Sequence, residues 1–218
     1  MRIAVCIPIW KRYELTEKVL DYYRDLRCYT DISIILGASE EVPFDVSDCT
    51  VVYTDNEPLS AKFNDTMEGA IGCDGAMIVG SDNIIHAGYF RWIEDERPVF
   101  SELGSCYYLD QVTGEMLLHW RAVLGAGKYM SRELLERCAY RPYAENLNIN
   151  VDGGPKRFVR HGECHHLTTV NWAIDIKTPG ENMWSFDHIK TKYRNTENAK
   201  AEAVFPTFGL DVKDWLVK

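Results

Sequence analysis

Short apolar runs alternate with amphipathic segments through the first half of the chain. The apolar runs are typical of buried strands, whereas the amphipathic segments repeat their apolar residues at helical spacing. The predicted strands and helices, in chain order, are strand 2–8, helix 15–26, strands 32–37 and 50–54, helix 60–71 and strand 76–80. Because strands alternate with helices, this half predicts an α/β fold with a mixed, mainly parallel sheet flanked by helices.

The second half of the chain has a different pattern. Two strand-like runs at 105–110 and 115–120 flank Gly114 and predict a hairpin. A short helix is predicted within 125–138, with Ser131 as its candidate N-cap. The remaining predicted segments are a polar loop at 145–158, a strand at 168–177 and a tail of mixed charges and aromatics from residue 191.

Composition indicates a globular protein of 218 residues, with 46% hydrophobic residues to form a core. No apolar run reaches about 18 residues and the amino-terminal segment lacks a secretory pattern, so we expect neither a membrane span nor a signal peptide. The seven cysteines are odd in number and lack CxxC spacing. Reduced thiols in a cytoplasm are therefore expected.

The net charge of −9 limits the kind of partner that the protein can bind. Broad contact with nucleic acid depends on Lys and Arg that neutralise phosphates, and this composition disfavours it. Binding of a diphosphate therefore needs a local source of positive charge, for which a divalent cation is the usual device.

Three common catalytic motifs are absent from the sequence. GxGxxG and GxxxxGK[ST] do not occur, which disfavours a nicotinamide enzyme and an ordinary NTPase. The absence of GxSxG disfavours an α/β-hydrolase.

A polar triplet, Ser81-Asp82-Asn83, follows the predicted strand 76–80 directly. Ligands of parallel sheets lie at the carboxyl ends of strands, so these side chains are candidates for a binding site. The alternative is that Ser81 and Asp82 cap a helix at 84–92. The pattern alone leaves both interpretations open.

Four segments in order resemble small family 2 glycosyltransferases of the GT-A fold, across about residues 3–190. They are "AVCIPIWKR", "NEPLSAKFNDTMEGA", "GSDN", and "GAGKYMSRELL" followed by "NINVDGG" and "AIDIK". The resemblance implies a GT-A-like, Rossmann-like domain over 1–218, with a nucleotide-sugar half at 1–100, an acceptor half at 101–190 and a tail at 191–218. Small proteins of this kind are frequent in phage genomes, which suggests a phage origin.

The same resemblance implies an inverting transfer of sugar from a nucleotide-diphosphate sugar, with Mn²⁺ or Mg²⁺ as cofactor. A cation between the phosphates would stabilise the charge that develops on the leaving diphosphate. Asp82 is the expected metal ligand, and either Asn83 stands where the family has its second carboxylate or Ser81 stands where the family has its first, depending on the register of the alignment. His188 is a further candidate ligand, because some GT-A enzymes bring a late histidine to the metal.

Several residues are expected to bind the nucleotide sugar because they match segments that do so in the family. These candidates are Pro8, Ile9, Trp10, Arg12, Ser39, Glu40, Lys62, Asn64, Ser81, Asp82 and Lys177. Lys62 and Asn64 are two apart, so they do not share a helix face, and a solvated lysine with a helix-start asparagine is the alternative.

Asp152 in "NVDGG" is the candidate catalytic base, which would take the proton of the acceptor hydroxyl. An ordinary Asp-Gly turn is the alternative. The acceptor remains open between a glycan and a hydroxymethylated pyrimidine in phage DNA.

Two other functions are compatible with the predicted fold. A sugar-nucleotide nucleotidyltransferase would usually have a glycine-rich loop after the first strand, and "PIWKRYE" contains no glycine. A non-catalytic carbohydrate-binding protein would explain the missing second carboxylate at position 83.

Overall fold

A computed structural model describes residues 1–120, 125–148, 151–179, 185–193 and 195–217, and for residues 151 and 152 it describes the backbone alone. The strands in these ranges are β1 (Ile3–Ile9), β2 (Ile32–Ala38), β3 (Thr50–Tyr53), β4 (Gly75–Ile78), β5 (Asn83–Ile85), β6 (Phe100–Leu103), β7 (Ser105–Asp110), β8 (Met116–Trp120), β9 (Lys128–Ser131), β10 (Cys164–Leu167), β11 (Ala173–Lys177) and β12 (Thr196–Ala199). The α-helices are α1 (Tyr13–Leu26), α2 (Leu59–Glu68), α3 (Ala87–Glu96), α4 (Arg132–Arg137), α5 (Phe186–Lys192) and α6 (Ala201–Val204). Three 3-10 helices cover Val151–Phe158, Phe205–Phe208 and Val212–Asp214.

The larger sheet has seven strands in the order β10-β6-β9-β4-β1-β2-β3. Strand β1 pairs in parallel with both β2 and β4, and β2 pairs in parallel with β3. Strand β9 is antiparallel to both of its neighbours, β4 and β6. The mixed, mainly parallel α/β sheet predicted from the sequence is confirmed. As a result, β1, β2 and β4 all end at one edge of the sheet.

Alternating residues of β1 supply two separate hydrophobic clusters. Ile3, Val5 and Ile7 pack into a cluster that includes residues of α1 and α3. Ala4 and Cys6 pack into a second cluster that includes residues of α2 and α4. Since successive side chains of a strand point to opposite faces, the two clusters lie on the two faces of the sheet. A strand buried on both faces reads as a continuous apolar run, which is how β1 appears in the sequence.

The smaller sheet has five strands in the order β12-β8-β7-β11-β5. Strands β7 and β8 form the antiparallel hairpin expected around Gly114. Strand β5 pairs antiparallel with β11, and this register places Asp175 opposite Asn83. The backbone amide of Ile176 also donates to the carbonyl of Asp82, over 2.9 Å. This pairing therefore brings "AIDIK" against the polar triplet.

Several element boundaries differ from the sequence prediction. The strand expected at 168–177 is limited to Ala173–Lys177, and β10 precedes it as a separate strand of the larger sheet. The polar loop expected at 145–158 contains the 3-10 helix Val151–Phe158. Among the helices that the structure describes, none combines the length and the apolar character needed to cross a bilayer.

Strand β2 and helix α2 approach closely at Gly37, and this contact generates a stability prediction. A methyl group added at Gly37 would lie 1.9 Å from Oγ1 of Thr66. We expect Gly37→Ala to lower the free energy of unfolding by about 1–3 kcal/mol, as overpacking does. The measurement is urea unfolding followed by circular dichroism.

Two controls test the steric cause of this loss. Thr66→Ala removes the clashing hydroxyl, so Gly37→Ala should cost much less in that background. Gly153→Ala should change the unfolding free energy by no more than about 0.5 kcal/mol, because nothing lies within 4 Å of the added methyl. An equal loss from Gly37→Ala in both backgrounds would contradict the steric explanation.

Candidate functional site

A cavity of about 440 Å³ opens at the sheet edge where β1 and β4 end. This volume is in the range of small-molecule sites. Its described lining residues are Pro8, Ile9, Trp10, Arg12, Asn56, Glu57, Leu59, Lys62, Phe63, Ile78, Val79, Gly80, Ser81, Asn83, Gly125, Ala126 and Asn148. Seven of the residues predicted from the sequence are therefore brought together here: Pro8, Ile9, Trp10, Arg12, Lys62, Ser81 and Asn83.

The turn after β1 places one aromatic ring and one cation at the cavity. Trp10 is 50% exposed, so its ring is available to a ligand at the cavity wall. Lys11 and Arg12 both have left-handed backbones, with φ of 57° and 51°. Such conformations cost about 1–3 kcal/mol each for residues other than glycine, and they cluster at functional sites. The Arg12 carbonyl accepts from the Thr16 backbone amide at 2.9 Å, which fixes the turn to the start of α1.

Arg12 joins the end of β1 to the polar triplet after β4. Its Nη1 donates to Oδ2 of Asp82 at 2.6 Å, and its Nη2 donates to Oγ of Ser81 at 3.1 Å. The side chains of Arg12 and Asp82 are only 17% and 11% exposed. A largely buried ion pair therefore holds the two strand ends together.

Two further charges from β11 surround Asp82. Lys177 Nζ lies 2.8 Å from the carboxylate of Asp175, and both side chains are largely buried. Burial works to raise the pKa of Asp82, but the charges of Arg12 and Lys177 outweigh it and leave this pKa below its usual value. Burial raises the pKa of Asp175 to about 6, although Lys177 opposes the shift. Two carboxylates and two cations thus form a compact cluster, which we call the four-charge cluster (Arg12, Asp82, Asp175 and Lys177).

Lys62 is a buried cation that makes no ion pair with a carboxylate of the described residues. Its Nζ donates to the Ile9 carbonyl at 2.6 Å, to Ser39 Oγ at 3.0 Å and to Asn56 Oδ1 at 3.1 Å. All three acceptors are neutral, and no carboxylate in the described parts of the chain lies within ion-pair distance of Lys62. Burial lowers the pKa of Lys62 to about 8, while Glu40 opposes the shift. The charge of Lys62 is therefore uncompensated at the cavity wall.

The side chain of Asn64 binds the backbone of Tyr143, and Asn64 is not among the described lining residues of the cavity. Its Nδ2 donates to the Tyr143 carbonyl at 3.0 Å, and its Oδ1 accepts from the Tyr143 amide at 2.9 Å. Lys62 and Asn64 are both buried in α2, which differs from the solvated alternative. The two residues do not share a helix face, as their spacing predicted, and only Lys62 lines the cavity.

Ser39 and Glu40 follow β2 but lie beside the main cavity. Ser39 accepts from Lys62 and also lines a second cavity of about 510 Å³, which shares Glu57 with the first. Glu40 accepts a hydrogen bond from the hydroxyl of Tyr13. Neither is among the described lining residues of the main cavity.

The helix-cap interpretation of the polar triplet is not supported. Helix α3 begins at Ala87, and its N-cap is His86, whose Nδ1 accepts from the Gly88 amide at 2.9 Å. Asn83 Oδ1 accepts from the Gly80 amide at 2.7 Å and closes the turn after β4. The triplet therefore shapes the cavity edge and leaves the capping of α3 to His86.

His188 and Asp152 are not among the described lining residues of the cavity. His188 lies in α5, where its backbone amide donates to Ser185 Oγ at 3.2 Å. The backbone of Asp152 lies at the start of a 3-10 helix, and its side chain is outside the described residues. Asn148, four residues earlier, does line the cavity.

Sequence reasoning missed several cavity residues and one buried acid. Asn56, Glu57 and Asn148 line the cavity from loops, and no local pattern distinguishes them from ordinary loop residues. Asp175 was missed although it carried a signal, because a carboxylate inside the apolar run "AIDIK" is unusual for a buried strand.

Asp82 and Asn83, two of the three predicted metal ligands, do not fit a divalent ion in this arrangement. The Asp82 carboxylate faces the Arg12 guanidinium, and the Asn83 oxygen is bound to the Gly80 amide. Within the described ranges, no group of three or more His, Cys, Asp or Glu side chains is placed to hold a metal ion. An added ion beside Asp82 would lie next to the fixed charges of Arg12 and Lys177.

Comparison with known proteins gives a fold relationship but no family. No protein-family model matches the sequence, and no curated protein matches it. Among solved structures, the chain is similar to a mannosyltransferase from Pyrobaculum calidifontis in complex with GDP-mannose and Mn²⁺. The two share 14% identity with a TM-score of 0.52, over 84% of this chain and 58% of the mannosyltransferase. This likeness shows a shared fold and confirms the GT-A-like, Rossmann-like class.

Two more distant likenesses have lower scores. One is to a protein assigned as a glucose-1-phosphate thymidylyltransferase from Bacillus anthracis in complex with sucrose, at 13% identity and a TM-score of 0.46, over 80% of this chain and 88% of that one. The other is to the bifunctional IspDF from Campylobacter jejuni, at 8% identity and a TM-score of 0.45, over 78% of this chain and 49% of that one.

The Arg12–Asp82 ion pair yields a second prediction. Asp82→Asn leaves the guanidinium without its counter-charge, and we expect the free energy of unfolding to fall by about 3 kcal/mol. Replacing both partners, as in Arg12→Met with Asp82→Asn, should cost less than the sum of the Arg12→Met and Asp82→Asn single changes. Urea unfolding of the four proteins gives the coupling energy. Strict additivity of the two changes would show that the pair contributes nothing.

Proposed function

We propose that the protein is a glycosyltransferase that moves a sugar from a nucleotide-diphosphate sugar to an acceptor hydroxyl. The observation that carries this proposal is the cavity at the ends of β1 and β4, where Arg12 and Lys62 meet a single lining carboxylate, Glu57. In a chain of net charge −9, two buried cations at one cavity favour an anionic ligand. The diphosphate of a nucleotide sugar carries the negative charge that these cations favour.

The cavity suits the other parts of a nucleotide sugar as well. The exposed ring of Trp10 offers a face on which a nucleobase can stack. Ser39 and Glu40, beside the second cavity, are proposed to meet the base or the ribose. Asn64 is proposed to act indirectly. Its amide binds the backbone of Tyr143, which fixes the position of α2 and therefore that of Lys62.

Asp152 remains the proposed catalytic base of an inverting transfer. Its backbone lies in the segment that follows Asn148, and Asn148 lines the cavity. The base would accept the proton of the acceptor hydroxyl while that oxygen bonds to the anomeric carbon and the diphosphate leaves with the bonding electrons. The acceptor is proposed to be a glycan or a hydroxymethylated pyrimidine.

The sequence also led us to expect Mn²⁺ or Mg²⁺, with Asp82, Asn83 and His188 as ligands. Mn²⁺ is present in the mannosyltransferase of the same fold, but the residues of this chain do not fit such an ion while Arg12 faces Asp82. We therefore assign no step of the proposed reaction to a metal.

Product analysis tests the proposed reaction directly. With a panel of GDP- and UDP-sugars and no acceptor, we expect slow release of the nucleoside diphosphate, because water can replace the acceptor hydroxyl. Asp152→Asn should lower this rate at least tenfold while it leaves nucleotide affinity unchanged. Pyrophosphate release from a nucleoside triphosphate and a sugar phosphate would instead identify a nucleotidyltransferase. Binding without turnover of any donor would identify a carbohydrate-binding protein without catalysis.

The pKa of Lys62 gives a pH prediction for the same site. Since this pKa is about 8, the ammonium loses its proton as the pH rises from 7 to 9. The affinity for GDP or UDP should then fall by about tenfold, equivalent to about 1.4 kcal/mol of lost charge attraction. Isothermal titration calorimetry at several pH values measures this change.

Matched variants separate the effect of Lys62 from other titrations. Lys62→Met should bind about tenfold more weakly at pH 7 and show little further loss at pH 9. Lys190→Met, which removes an exposed cation paired with Glu115, should retain the wild-type profile. A Lys62→Met variant with the wild-type pH profile would refute the assignment.

A further inference from the structure

Asp82, the metal ligand expected from the sequence, is paired with a protein cation. Asp82 follows β4, and its Oδ2 lies 2.6 Å from Nη1 of Arg12. The second hydrogen bond from Arg12, to Ser81, fixes the plane of the guanidinium against the same turn. Both partners of the ion pair are largely buried, so solvent screens their attraction only weakly.

Charge balance in the four-charge cluster argues against an additional ion. Asp82 and Asp175 carry two negative charges, and Arg12 and Lys177 carry two positive charges. The cluster is neutral before any ligand binds. A divalent ion at Asp82 would add two positive charges beside two fixed cations, while both carboxylates of the cluster are already matched by Arg12 and Lys177.

The backbone is built to hold Arg12 in this position. Lys11 and Arg12 are consecutive left-handed residues, a costly conformation that the Arg12–Asp82 pair and the hydrogen bonds to Thr16 maintain. Thr16 Oγ1 donates to the Arg12 carbonyl at 3.0 Å, in addition to its backbone amide. The turn therefore holds Arg12 over the end of β4.

Arg12 also has the capacity to bind a second anion. Its bonds to Asp82 and Ser81 use two of the five N–H donors of a guanidinium. Arg12 lines the cavity, as does the uncompensated Lys62. A planar guanidinium matches phosphate oxygens with paired hydrogen bonds, and a nearby ammonium adds charge without a fixed direction.

We propose that Arg12, held by Asp82 and assisted by Lys62, binds the diphosphate of the nucleotide in place of a divalent cation, so that nucleotide binding is independent of metal. This inference rests on the proposed function, because it assumes that the cavity binds a nucleoside diphosphate. Asp82 is then a positioning residue for Arg12, and its carboxylate does not contact the ligand through a metal.

Calorimetric titration with GDP and UDP, in excess EDTA and in saturating Mn²⁺, tests the proposal. At least one nucleotide should bind with a Kd that differs by no more than about twofold between the two conditions. Titration with Mn²⁺ alone, followed by electron paramagnetic resonance, should show the same Mn²⁺ binding by the wild type and by the Asp82→Asn variant. Binding that requires Mn²⁺ would overturn the inference and leave the proposed function intact. No binding of either nucleotide in either condition would overturn the proposed function itself.

Variants distinguish the arginine from a metal ligand. Arg12→Lys keeps the charge and the pairing with Asp82 but loses the planar fork, so binding in EDTA should weaken by about threefold to tenfold. Asp82→Asn removes the carboxylate that positions Arg12, so binding in EDTA should weaken by about threefold to tenfold once circular dichroism confirms folding. Arg91→Met, on the exposed face of α3, is the control and should bind like the wild type. Loss of binding in Asp82→Asn with Arg12→Lys unaffected would overturn the inference.

Discussion

The ion pair between Arg12 and Asp82 connects parts of the chain that are seventy residues apart. It joins the turn after β1 to the turn after β4, and both turns form the wall of the main cavity. Because both side chains are largely buried, each needs the other to offset the loss of hydration. The shape of the cavity edge, the orientation of the guanidinium and the balance of charge around Asp82 all depend on this contact.

Strand β11 completes the electrostatic arrangement from the other sheet. It places Asp175 opposite Asn83 and brings Lys177 close enough to shift the pKa of Asp82. The four-charge cluster thus combines Arg12 and Asp82, which follow strands of the larger sheet, with Asp175 and Lys177 from a strand of the smaller sheet. Such a group holds a fixed orientation because each buried charge is matched, and it presents Arg12 to the cavity in one defined position.

Lys62 has a complementary role at the same cavity. Its ammonium donates hydrogen bonds to three neutral acceptors, and one of these is the carbonyl of Ile9 at the end of β1. Because no carboxylate of the described residues forms an ion pair with Lys62, its charge is a source of positive potential at the cavity wall. Arg12 supplies hydrogen-bond donors in a fixed orientation, and Lys62 supplies additional positive charge. Together they favour an anionic ligand at this cavity, although the protein as a whole is acidic.

The sequence by itself determined the α/β class, because β1 and β4 are buried on both faces and the helices bury one face each. It also pointed to the triplet after β4, since polar residues at a strand end are a local feature, whereas Arg12 and Lys62 were expected only from the resemblance of their segments to a known family. Tertiary structure decided what these residues contact. Residue spacing cannot reveal that Asp82 faces an arginine, that Asn64 holds Tyr143, or that Asp175 lies beside the triplet. Those pairings depend on strand order and register, which are set by the packing of distant segments and not by local patterns.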